Sequence, residues 1–197
     1  DEIYCLGDIV DRGSDSNKCI ELVRKYCKAT VLGSHDIFAA KYRYCDIEPI
    51  KEPDISKGEH LNPDIYREYL TAENLSYLQN CGLEIELDDI LATHTVQDPR
   101  FLPWQYIDDE GDAFLIAYIL KKKITVTGHT HIPKIFEKNE KAQYGMTSHN
   151  IWSAEKLVLE AKEGSKYLMD IGSIGNNRSE EKTGHYGIIE DRRMEIH

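Results

Sequence analysis

Four short apolar runs in this chain stop in the same way, each at a polar cluster led by glycine or threonine. Residues 3–6 stop at Gly7-Asp8, residues 30–32 at Gly33-Ser34-His35-Asp36, residues 90–92 at Thr93-His94, and residues 124–127 at Gly128-His129-Thr130-His131. Short apolar runs bounded so abruptly read as buried strands that hand the chain to loops. Between the first two, Ser14, Asp15 and Ser16 offer helix N-caps, and Cys19, Ile20, Val23, Tyr26 and Cys27 recur at helical spacing. Strand, helix, strand predicts a parallel unit with a right-handed crossover. In open α/β sheets the ligand crevice lies outside the carboxyl ends of the strands. The four clusters are therefore expected to converge, and one carboxylate with several imidazoles suits manganese, iron, zinc or nickel better than calcium.

The remaining chain fits an α/β reading. A helix is expected from Ile37 to Tyr44, then a proline-containing loop over 45–62, a helix over 63–70, and one over 72–79 capped by Thr71. Alternation over 83–87, a turn at Asp88-Asp89 and the run to His94 predict a hairpin. Asp112 is the expected cap of an apolar helix reaching Leu120. Beyond Pro133, short strands near 135–136, 167–171 and 186–189 are joined by turns rather than crossover helices.

Charge and cysteine usage narrow the function. The formal net charge of −11 argues against a general nucleic-acid binder, which needs a basic face. No apolar run approaches the ~20 residues that cross a bilayer, and the first residues show no leader pattern. Five cysteines, odd in number and without a CxxC pair, read as reduced, buried small hydrophobes in a cytoplasmic protein.

The segments GDIVDRG at 7–13, GSHD at 33–36, TH at 93–94, GHTH at 128–131 and DIGSIGNNR at 170–178 together resemble the calcineurin-like metallophosphoesterase superfamily. Asp98-Pro99 and Trp104-Gln105-Tyr106 resemble its small bacterial and archaeal phosphodiesterase branch, whereas GDIVDRG is closer to the protein-phosphatase branch. The resemblance implies a four-layer α/β/β/α sandwich of two mixed sheets, formed as one domain over 1–197, with 143–164 as an added hairpin, lid or subunit contact. It implies two divalent ions, manganese first, with Asp8 bridging them, Ser34, His94 and His129 on one and His131 on the other. A metal-bridging hydroxide would attack phosphorus in line with the leaving group. His35 would stabilise the transition state or protonate the leaving oxygen, Asp11 would orient His35, and Arg12 would contact the phosphate.

Two departures stand out. The family's upstream Asp-x-His strand end has no counterpart here, so a first strand–helix unit is expected to be missing. Ser34 occupies the place of an asparagine ligand, and a hydroxyl is the shorter and weaker donor. The expected reaction is hydrolysis of a phosphate mono- or diester, a small ester or nucleotide. The alternative is a non-catalytic interaction scaffold on the same fold with an eroded metal site. Neither membrane nor nucleic acid is an expected partner, and self-association stays open.

Overall fold

The computed structural model describes residues 1–40, 69–96, 106–139, 141, 145–151, 156–176, 178 and 184–197. The expected loop at 45–62, most of the helix at 63–70, the end of the helix expected to reach Tyr44, and Cys45 lie outside them. The chain divides into two compact units, Asp1–Leu83 and Glu84–His197.

In the first unit β1 (Tyr4–Cys5) pairs in parallel with β2 (Ala29–Thr30), joined through α1 (Ser16–Tyr26). This is the expected strand–helix–strand order, and Val31 extends it by bridging to Gly82. The buried stripe of α1 differs from expectation. Ser16 and Ile20 face inward, whereas Cys19 and Tyr26 are exposed. Helical spacing defines a stripe but not which edge of it meets the core. Cys19 therefore departs from the expected buried state. Cys5, Cys27 and Cys81 are only half-buried, a further departure, although the burial that Cys5 does have pushes its thiol pKa up to about 12. α2 (Ser34–Ala40) follows β2. α3 (Ala72–Asn80) packs on it, started by the Thr71 hydroxyl accepting from the Asn74 N–H.

The second unit holds a six-stranded mixed sheet in the order β3 (Glu84–Leu87), β4 (Ile90–Thr93), β5 (Ile124–Thr127), β9 (Ser165–Asp170), β6 (Lys134–Asn139), β7 (Thr147–Asn150). β4, β5 and β9 run parallel to their neighbours in that trio, and the other pairs are antiparallel. β5 is buried along its whole length, as a central parallel strand should be. A separate antiparallel sheet has the order β10 (Gly187–Glu190), β11 (Arg193–Ile196), β8 (Leu157–Glu160). Of the stretch 143–164, β7 thus joins one sheet and β8 the other.

α4 (Glu110–Ala117) lays Ala113, Ile116 and Ala117 against Phe136, Leu168 and Met146. Its cap is Asp109, not Asp112: the Asp109 carboxylate accepts from the Asp112 N–H, so Asp112 is three residues inside the start. The helix also ends at Ala117, short of the expected Leu120. The fold is mixed α/β, the expected class.

Candidate active site

In the first unit the parallel β1–β2 pairing brings two chain reversals side by side. Gly7 has φ 87° and packs so closely on Gly33 that a Cβ on Gly7 would meet the Gly33 nitrogen at 2.2 Å. A Cβ on Gly33 would meet the Asp8 nitrogen and Oδ1, also at 2.2 Å. Both glycines are thus required by close approach. Asp8 and Asp11 themselves sit at φ 54° and 95°, a conformation that costs a non-glycine residue about 1–3 kcal/mol.

The strain places carboxylates. Asp8 Oδ1 accepts the main-chain N–H of His35 at 3.0 Å and lies 3.5 Å from the Ser34 hydroxyl. Its Oδ2 lies 3.8 Å from His35 Nε2. On the other ring nitrogen, His35 Nδ1 is hydrogen-bonded to Asp11 Oδ2. With a carboxylate as partner, that contact places the proton on Nδ1 and turns Nε2 toward Asp8. Arg12 is exposed, with its side chain at the surface of the unit.

Asp36 stands in the GSHD cluster, but the sequence reading gives it no role. Fully buried, it accepts from Ile9 (2.9 Å), Val10 (3.2 Å) and Gly33 (3.0 Å) main-chain N–H groups. One carboxylate therefore fastens the loop after β1 to the loop after β2. The signal available in the sequence was an acid in the first turn of a helix, which ordinarily means only a favourable dipole contact.

In the second unit the three parallel strands β4, β5 and β9 end at one edge. Immediately past β4 and β5, His94 and His129 are both buried, with Nε2 of the first 3.0 Å from Nδ1 of the second. Two nitrogens on one ion, each bonded at about 2.0–2.1 Å, stand roughly 2.9–3.4 Å apart at ordinary coordination angles. The pair fits a divalent transition metal in spacing and in donor type.

His131 has φ 63° and donates from Nδ1 to the Asn176 main-chain oxygen at 2.7 Å, so Nε2 is the ring nitrogen that would face a metal if His131 held one. Asp170, at the end of β9, accepts from Gly172 N–H (3.0 Å), Thr130 N–H (3.3 Å) and the Thr127 hydroxyl (3.4 Å). Burial pushes its carboxyl pKa up, against these hydrogen bonds. Asp170 thereby shapes the turn that carries His129 and His131.

Each unit thus assembles its own share of the expected residues: Asp8, Asp11, Ser34 and His35 in the first, His94, His129 and His131 in the second. Residues 1–145 match the family model described as calcineurin-like phosphoesterase. The chain belongs to that family. It is similar to a metallophosphoesterase from Sphaerobacter thermophilus, with 26% identity and a TM-score of 0.77 over 100% of this chain and 77% of that one. A protein of Methanocaldococcus jannaschii described as uncharacterised is 26% identical over 99% of this chain and 73% of its own length. A hypothetical protein from Pyrococcus horikoshii OT3 shares the fold, at 15% identity and a TM-score of 0.60 over 98% and 73% of the two chains. Among the described residues no helix is long and apolar enough to cross a membrane.

Proposed function

We propose that the chain hydrolyses a small phosphate ester with two divalent ions, manganese foremost, held by Asp8, Ser34, His94, His129 and His131. The observation that carries this reading is the buried His94–His129 pair at the spacing of two ligands on one ion. Bound ions would supply a water acidic enough to attack at neutral pH and would screen the phosphoryl charge.

The protein's own groups supply the rest. Asp11 keeps the His35 proton on Nδ1, so Nε2 can hold a proton against the leaving oxygen. Asn176 and Asp170 hold His131 and the Gly128–Thr130 turn in place by main-chain hydrogen bonds. Arg12, exposed on the loop after Asp11, supplies a guanidinium to a phosphate oxygen. A phosphodiester or nucleotide is the proposed substrate, and the excess of negative charge disfavours long duplexes. The proposed compartment is the cytoplasm, supported by cysteine spacing that suits no disulfide framework.

The test is manganese-dependent hydrolysis of bis-p-nitrophenyl phosphate by this chain and by Asp8→Asn. Expected is turnover that EDTA abolishes, manganese restores and the variant loses. No turnover together with no bound metal supports the scaffold alternative instead.

A further inference from the structure

The ring of His129 is not bare. Tyr106 lies over it with ring centroids 4.5 Å apart and planes tilted by 34°. The Tyr106 hydroxyl accepts from Arg178 Nη1 at 3.2 Å, and the guanidinium carbon stands 5.4 Å from the tyrosine ring centroid. Arg178 is tied a second time through its main chain, whose N–H donates to the His131 oxygen at 3.3 Å. Two residues earlier, the Asn176 oxygen accepts from His131 Nδ1.

An exposed arginine is therefore fastened to the surroundings of both His129 and His131, by its side chain and by its backbone. Among the described residues no carboxylate pairs with it. A guanidinium carries five N–H donors, and the tyrosine engages one. We infer that Arg178 is a substrate-binding residue that grips a phosphate oxygen of the ester, with Tyr106 as the positioning residue that holds the guanidinium beside the histidines. This deepens the proposed function and rests on it.

The chemistry explains why such a group is needed. The chain is strongly acidic, so an anionic ester approaches against the average field and gains from a local cation at the site. Stacking on tyrosine pre-organises the planar fork, so less freedom is lost when it closes on an oxygen.

The experiment uses the manganese-loaded chain, Arg178→Ala, Arg178→Lys and Tyr106→Phe. KM and kcat are read with bis-p-nitrophenyl phosphate, Kd for inorganic phosphate by calorimetry, and metal content and melting alongside. Arg178→Ala is expected to raise KM and phosphate Kd together by about tenfold, with kcat within about threefold and metal content unchanged. Arg178→Lys recovers part of the loss, since the charge survives without the fork. Tyr106→Phe falls between wild type and Arg178→Ala, because only the anchoring hydroxyl is gone. Wild-type KM and Kd in Arg178→Ala overturn the inference, and so does a loss of metal or of cooperative melting, which means the arginine is structural. A wild-type chain that neither turns over nor binds phosphate overturns the proposed function itself.

Discussion

Asp36 Oδ1 lies 2.9 Å from the main-chain nitrogen of Ile9, a hydrogen bond between the first turn of α2 and the loop that follows β1. The same carboxylate also binds Val10 and Gly33. Asp36→Asn presents an amide NH2 to N–H donors and removes the charge that strengthens these bonds. It is expected to cost about 2 kcal/mol in urea unfolding. A change below about 0.5 kcal/mol would show that the loop is held by other means.

Gly33→Ala tests the close approach of the two loops. Its methyl would lie 2.2 Å from Asp8 atoms, backbone among them, so the loops must separate. The expected result is a loss of at least about 3 kcal/mol, typical of overpacking a tight site, together with a fall in bound manganese. Gly13→Ala is the control. Nothing lies within 4 Å of its new Cβ, and its unfolding midpoint should match wild type.

Ser34 stands 3.5 Å from Asp8 Oδ1, at the outer limit of a hydrogen bond. By resemblance an asparagine belongs there as a metal ligand. Ser34→Asn is therefore expected to raise the manganese retained per chain after dialysis, measured by elemental analysis. Identical retention in both proteins would remove position 34 from the ligand set.

Glu195 carries the clearest pH dependence. Lys156, together with His197 and Arg193, holds its carboxyl down to about 2, well under the ordinary glutamate value near 4.3. A depressed folded-state pKa contributes stability that is present above the unfolded value and lost as pH falls through the folded one. The melting temperature of wild type should thus fall between about pH 4.5 and 2 more steeply than that of Glu195→Gln. Parallel acid limbs for the two proteins would refute the assignment, and added salt should narrow the gap.

Local patterns carried a good part of this structure. The 84–93 hairpin followed from strict alternation and an Asp-Asp turn, and the α3 cap from Thr71 ahead of an apolar repeat. The α4 cap slipped by one turn because 108–112 offers several acids and the apolar repeat begins only at Ala113. β11 went unread although the inward Met194 and Ile196 alternate with Arg193 and Glu195. Four residues with two charges give too short a period to register.

The candidate site was legible in its residue types, since histidines gathered behind strand ends stand out in a sequence. Its supports were not. Asp36 and Asp170 look like any acid beside a loop, and the His129–Tyr106–Arg178 contact joins distant positions with no local signal. Such pairings belong to tertiary structure, which a periodicity cannot encode.

Asp8, Asp11 and His131 all hold left-handed backbone, and each is a residue the proposed chemistry uses. At such positions glycine would relieve the backbone while deleting the functional group. Conformational energy and catalysis therefore pull these three codons in opposite directions. A lineage released from the need to hydrolyse its substrate would find relaxation of the backbone downhill there, and the site would erode first where it is most contorted.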